Sequence, residues 1–204
     1  MKKITAILLL ISLLFCLSAC DFADAAMFYT DSAEIDGLHI EINKIANRCF
    51  VSYYTVSEYT EGMTITIPDD YNGIPIKRIG GFVGTGVPSP FEIDLFEIYV
   101  NAPEDSDYYT TYIDHPDNFN IVDEYTVEEV VFQLHIGKNI EVVDFITNDY
   151  YPHINEDGSI TFYHPIVYIT CSEENTTFYS KDGKLYYKST NALVEDLPIR
   201  NNES

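Results

Sequence analysis

Residues 64–80 read TITIPDDYNGIPIKRIG, a short β-branched segment followed by a turn rich in glycine and proline and by a second apolar segment. Side chains alternate across a strand, so Ile65 and Ile67 share one face and the neighbouring threonines share the other. The proline that follows lacks the N–H that a strand ladder needs, and it ends the strand. A unit of this size cannot bury its own apolar face, so we expect similar units to stack on it.

Pairs of apolar residues separated by a single residue recur along the chain. Their second members stand at positions 67, 100, 136 and 169, so the intervals are 33, 36 and 33 residues. Helical repeats have similar periods, but their units contain long amphipathic helices, whereas these segments are short and β-branched. We therefore predict a mainly β solenoid of about four repeating units, here called rungs. The four pairs are Ile65/Ile67, Ile98/Val100, Leu134/Ile136 and Val167/Ile169.

Three segments resemble the BspA-like class of bacterial leucine-rich repeats. Residues 66–80 contain an isoleucine-proline step, then Asn-Gly-x-Pro, then x-Ile-Gly. Residues 134–143 resemble a second unit, and NTTFYSKDGKLYY at residues 175–187 resembles the family's Asp-Gly-x-Leu-Tyr segment. The resemblance spans roughly residues 36–194 and implies a leucine-rich-repeat solenoid that adheres to or binds proteins of a host or of neighbouring cells. The spacing here is longer than the family's usual unit of about 20 to 29 residues.

The first 19 residues are typical of a bacterial lipoprotein signal peptide. Lys2 and Lys3 precede an apolar stretch that is short for a membrane span. Residues 17–20, Leu-Ser-Ala-Cys, resemble a lipobox, in which Cys20 becomes the lipidated first residue of the mature protein. The alternative is an ordinary signal peptide in which Cys20 is incidental. Because two or more acyl chains anchor a protein stably, we expect an exported protein on the outer leaflet of a bacterial membrane, at the cell surface.

The rest of the chain divides into three parts. We expect residues 20–35 to form an acidic tether behind the lipidated cysteine, residues 36–194 a single domain and residues 195–204 a tail. An N-terminal β-hairpin at residues 38–56 should cap the solenoid, because an uncapped end exposes core and strand edge. A hairpin at residues 185–194 should close the other end.

Charge restricts the partner. The chain has 33 acidic and 11 basic residues, and its formal net charge is -22. This charge repels phosphates and anionic headgroups, so we expect no nucleic acid partner and no peripheral docking on an acidic membrane. We expect a protein partner, and a basic one fits this charge best.

Sequence patterns give no support for catalysis. The chain has no Gly-x-Ser-x-Gly elbow, P-loop or dinucleotide-binding glycine motif. Its histidines and cysteines lack ligand spacing, and the acidic turn at residues 155–159 lacks a closing glutamate for calcium. Cys49 and Cys171 should lie farther apart than the ~7 Å that a disulfide allows. We therefore predict no enzyme activity, no metal, no cofactor and two unpaired thiols.

Aromatic residues form the predicted binding surface. The residue before the second member of each pair should point outward, and these residues should stack as one row on the open face. Solenoids bind partners on such surfaces, and tyrosine is common in binding hot spots. The alternative is that turns or the acidic insertion at residues 101–126 cover the row. The predicted partner-binding residues are Tyr99, His135 and Tyr168 in the row, beside Thr66, and Tyr108, Tyr109 and Tyr112 in the insertion.

The function predicted from these features is surface recognition or adhesion through a protein partner. Two other functions fit the same sequence. One is a structural or assembly role in the cell envelope, and the other is carbohydrate capture by exposed tyrosines.

Overall fold

The described residues of the chain are mainly β, as the sequence predicts. A computed structural model describes residues 31–83, 87–89, 91–100, 125–144 and 150–194. In most of the strands apolar residues alternate with polar ones, because this alternation places one face of each strand in the core.

The elements in chain order fall into an N-terminal group and a C-terminal group. The first contains β1 (Asp31–Ile35), β2 (Leu38–Asn43), β3 (Arg48–Thr55), β4 (Met63–Thr66), β5 (Asp70–Tyr71), β6 (Ile74–Ile79), β7 (Gly81–Val83), β8 (Val87–Ser89), β9 (Glu92–Asp94) and the short helix α1 (Phe96–Tyr99). The second contains β10 (Tyr125–Ile136), β11 (Val142–Val143), β12 (Tyr151–Ile154), β13 (Ile160–Cys171), β14 (Phe178–Lys181) and β15 (Lys184–Tyr187).

Three of the strands form a parallel sheet. Strand β10 lies between β4 and β13 and is parallel to both, and β12 adds to β13 in the antiparallel direction. Leu134 in the middle strand is paired with Ile65 on one side and with Ile169 on the other. All three side chains are buried, so this row belongs to the core.

A second sheet forms the other wall of the core. Its order is β1-β2-β3-β6-β11, with β5 beside β6 and β9 beside β3. Strands β1, β2 and β3 are antiparallel, whereas β3, β6 and β11 are parallel. Ile40 and Ile79 of this sheet belong to the same buried cluster as Phe132 and Leu134 of the parallel sheet. The outer faces of the two sheets therefore point away from a shared core.

The hairpin predicted at residues 38–56 is present as β2 and β3. Its turn begins at Asn43, whose buried side-chain oxygen accepts hydrogen bonds from the backbone N–H groups of Ile45 and Ala46, at 3.1 and 2.9 Å. The predicted tether is wrong for its last five residues, because they form β1. Ala33 and Ile35 face the core there and pair with residues of β2.

The predicted second rung is wrong. Ile98 and Val100 do not form a strand; Ile98 lies in α1, where the N–H groups of Ile98 and Tyr99 donate to the carbonyl oxygen of Leu95, at 3.2 and 3.0 Å. The strand of this region lies earlier, at β9, and pairs with β3 in the other sheet. Two apolar residues separated by a single residue are too few to distinguish a strand from a helical turn.

Asparagine side chains that follow the parallel strands form hydrogen bonds between successive turns. Asn139 follows β10, and its Nδ2 donates a hydrogen bond to the carbonyl oxygen of Asp69 in the turn after β4, at 3.0 Å. Asn175 follows β13, and its Nδ2 donates to the carbonyl oxygens of Gly137 and Ile140 in the turn after β10, both at 2.9 Å. Each of these two turns is thus hydrogen-bonded to the preceding turn through an asparagine side chain.

The sequence prediction places the C-terminal hairpin one strand too late. Strand β15 pairs with β14 through a turn at Asp182 and Gly183, which both have positive φ, at 52° and 73°. An Asp-Gly turn of this kind fits a two-residue hairpin loop. The later segment makes only a single bridge, between Tyr186 and Leu193. The hairpin docks on β13, because the N–H of Ile169 donates to the carbonyl oxygen of Gly183 at 2.8 Å.

Candidate binding surfaces

The outer face of the parallel sheet is polar and open. Its outward side chains form two complete rows across β4, β10 and β13, and each is exposed except for one half-buried histidine. We call this surface the polar face. Its rows are Thr64, Gln133 and Tyr168, and Thr66, His135 and Thr170.

The predicted row of Tyr99, His135 and Tyr168 is wrong. His135 is paired with Thr170 and not with Tyr168, and its Nδ1 lies 3.0 Å from the Thr170 Oγ1. Tyr168 is paired with Gln133, so it lies one row away from the histidine. The register between β10 and β13 differs by two residues from the predicted one. A shift of two residues leaves every side chain on the same face of the sheet, so the alternation of apolar residues does not by itself determine the register.

Tyr99 does not belong to the polar face. It lies in α1 and is half-buried, its ring is stacked on that of Tyr163 with centroids 3.8 Å apart, and its carbonyl oxygen accepts a hydrogen bond from His153 Nδ1 at 2.7 Å. Burial raises the pKa of Tyr99, and neighbouring Tyr163, Tyr59 and Glu128 raise it further. These contacts give Tyr99 a packing role.

Tyr168 is the most prominent aromatic side chain of the polar face. It is 51% exposed, and it lies at the border with the C-terminal hairpin. Its ring covers Gly183, where an added Cβ would lie 2.6 Å from the Tyr168 Cδ1. The glycine therefore lets one side of the ring rest on the hairpin while the other side remains open.

Four predicted site residues lie outside the described residues. The insertion predicted at residues 101–126 is described only for its last two positions, Tyr125 and Thr126, which begin β10. The four are the predicted lipidation site Cys20 and the insertion residues Tyr108, Tyr109 and Tyr112.

The outer face of the second sheet carries a row of four residues that sequence reasoning misses. Glu34, His39, Tyr53 and Glu92 lie directly opposite one another on β1, β2, β3 and β9, and we call them the cross-strand row. The His39 and Tyr53 rings are stacked at the centre, with centroids 4.5 Å apart and planes 5° apart. Alternation within residues 31–35 is the sequence signal for β1, but a short acidic segment after a predicted export signal is interpreted more readily as a tether.

Acidic side chains lie close to Tyr53 and Glu92 in the cross-strand row. The pKa of Tyr53 is raised by burial first and then by Glu34, Asp94 and Glu41. The pKa of Glu92 is also raised, by burial first and then by Asp94, against a hydrogen bond from the Tyr151 hydroxyl that lowers it. That hydroxyl donates to the Glu92 Oε1 at 3.2 Å and holds the carboxylate at one end of the row. The row is therefore better suited to a cation than to an anion.

The two thiols lack the properties of a nucleophile. Cys49 is buried and Cys171 half-buried, and both are free, which confirms the prediction of unpaired thiols. Burial, with a smaller contribution from Asp70, raises the pKa of Cys49 to about 11, and burial also raises the pKa of Cys171. Both thiols are thus protonated at neutral pH, whereas nucleophilic cysteines are thiolates.

In the part of the chain that the structure describes, three or more histidine, cysteine, aspartate or glutamate side chains never come together as a metal site. In the same residues, no helix has the length and apolar character needed to cross a membrane.

The fold and these surfaces define a mainly β protein with two polar outer sheet faces, each carrying exposed aromatic side chains. No family model, curated protein or solved structure matches this chain.

Proposed function

We propose that this chain is a lipid-anchored recognition module of the BspA-like leucine-rich-repeat kind, which binds a protein partner at the bacterial cell surface and is not an enzyme. The observation that supports this proposal is the polar face. Six outward side chains from three parallel strands form an open surface there, and Tyr168 offers apolar area with a polar tip.

Two features support a short solenoid. Strands β4, β10 and β13 are parallel and in register, and asparagines join their turns in the same direction along the chain. In this proposal these three strands are rungs, the hairpin of β2 and β3 caps the first rung, and the hairpin of β14 and β15 closes the last. A solenoid needs such ends because each rung is stabilised only by its neighbours.

The proposed anchor is Cys20, the last residue of the Leu-Ser-Ala-Cys segment. Ten residues separate it from β1, and an extended chain of this length spans at most about 35 Å. The domain would therefore work close to the membrane. Cys20→Ser should release the protein from the membrane fraction, and a variant that stays there after a salt wash would contradict the anchor.

Photo-crosslinking on intact cells tests the polar face. A benzophenone amino acid is placed at position 168, and the matched control carries it at Tyr187, which is also partly exposed but lies on β15. We expect a covalent product with one partner protein from position 168 and not from position 187. Tyr168→Ala should abolish capture with little change in melting temperature, because half of this side chain is already exposed. Equal products from both positions would refute the proposal.

A further inference from the structure

The cross-strand row is a second surface, separate from the polar face. It starts at β1, which is the edge of the seven-stranded sheet, and crosses β2 and β3 to β9. Beside it, Gly81 approaches β3 so closely that an added Cβ would lie 2.9 Å from the Ser52 Cβ. The backbone at β7 therefore bounds the surface on one side, while Tyr53 remains 39% exposed.

The order of residues in the row is chemically specific. Carboxylates stand at both ends, and a stacked pair of aromatic rings stands between them. The row itself contains no lysine or arginine, and Lys44 is engaged elsewhere by Asp31, at 3.3 Å. Carboxylates bind ammonium and guanidinium groups, and the stacked rings between them offer apolar surface on which the aliphatic part of a lysine or arginine side chain can lie.

Spacing adds a length requirement for the ligand. Neighbouring strands lie about 4.8 Å apart, so the three steps from β1 to β9 separate the backbones at Glu34 and Glu92 by about 14 Å. Residues four positions apart in an extended peptide span about 13 to 14 Å, and alternate side chains point the same way. Such a peptide lying across the strands presents its first, third and fifth side chains to the row.

We propose that the cross-strand row binds an extended segment of a partner protein in which lysine or arginine occupies every second position. The first and fifth side chains pair with Glu34 and Glu92, and the third lies over the stacked rings of His39 and Tyr53. A net charge of -22 attracts such a segment from a distance, and the row fixes where it binds.

A nuclear magnetic resonance titration of the isotope-labelled protein with two synthetic peptides tests this proposal. The peptides KGKGK and GKKKG have the same composition and charge, but only the first presents three lysines on one side of an extended chain. We expect KGKGK to shift the amide signals of residues 34, 39, 53 and 92 at low salt and to bind more tightly than GKKKG. Glu34→Gln with Glu92→Gln should weaken KGKGK binding about three- to tenfold, because ion pairs near a protein surface contribute modestly.

Controls separate the row from the general charge of the molecule. Glu129→Gln with Glu156→Gln removes the same charge from exposed positions on β10 and on the turn before β13, and it should leave KGKGK binding nearly unchanged. Equal weakening by both pairs, shifts confined to the polar face, or no shifts at low salt would overturn the proposal. Self-association that is lost in the Glu34/Glu92 variant would also overturn it, in favour of a second copy as the occupant. Tyr168→Ala should not affect KGKGK binding, so the two surfaces are tested independently.

Discussion

Replacing Asn175 tests whether the turn-to-turn hydrogen bonds hold the parallel strands together. This side chain is 1% exposed. Besides the two bonds from its Nδ2, its Oδ1 accepts hydrogen bonds from the N–H groups of Thr177 and Phe178, at 2.8 and 2.7 Å. Asn175→Ala therefore leaves two carbonyl oxygens and two N–H groups without their partner inside the protein.

The expected cost follows from these four bonds. A hydrogen bond contributes about 0.5 to 1.5 kcal/mol net, so their loss should lower the free energy of unfolding by about 2 to 6 kcal/mol. In a domain of about 160 residues this corresponds to a fall in melting temperature of roughly 6 to 18 °C. Asn175→Asp should also be costly, because a carboxylate oxygen then faces the carbonyl oxygens of Gly137 and Ile140.

Urea unfolding followed by circular dichroism measures these changes on a purified Cys20→Ser chain that begins at position 20. The matched control is Asn72→Gly, since Asn72 is exposed and has a φ of 52°, which glycine adopts freely. The control should change the free energy of unfolding by less than about 0.5 kcal/mol. A loss below about 1 kcal/mol for Asn175→Ala would refute the proposed importance of these bonds.

Three further predictions follow from local geometry and charge. Gly37→Ala should destabilise the protein more than Gly73→Ala when both are measured by urea unfolding. Both positions have positive φ, but only at position 37 would the added Cβ contact the backbone, 2.6 Å from the Thr55 carbonyl oxygen. Glu92→Gln should raise the free energy of unfolding at neutral pH, and this gain should vanish in acid. Folding raises the pKa of the Glu92 carboxyl, so the wild-type protein loses stability as the pH rises through that pKa. Equal gains at all pH values would contradict this. Cys49 should react with iodoacetamide at pH 8 at least about 100-fold more slowly in the folded protein than in urea, because its pKa rises from 9.0 to about 11.

Much of the β structure could be predicted from alternation. The hairpin of β2 and β3 follows from alternating apolar residues on both sides of a polar turn, and Ile65, Leu134 and Ile169 are buried as their alternation requires. Alternation fixes the face of a side chain but not its partner. Ile136 is consequently paired with Cys171 and not with Ile169, and the predicted aromatic row does not form.

The features that could not be predicted from the sequence depend on contacts between segments that lie far apart in the chain. Strand β9 has only three residues, and β3 provides its partner. The helical turn at α1 is supported by the stacking of Tyr99 on Tyr163, more than 60 residues later. The cross-strand row requires β1, β2, β3 and β9 to be aligned at once, and no local pattern specifies that alignment. The best sequence clue is the alternation of Ala33 and Ile35 with polar neighbours.

The parallel pairing described above also has a consequence for the time that folding takes. His135 and Thr170 are 35 residues apart in sequence, and Lys138 and Asp69, which meet beside the parallel sheet, are 69 apart. Chains whose native contacts are this remote fold slowly, because long loops must close before the contacts form. If the N-terminal segment directs export of an unfolded chain, slow folding would extend the time during which the polypeptide can still be threaded through a membrane pore. The same topology that builds the surfaces would then delay their formation until the chain has reached the far side.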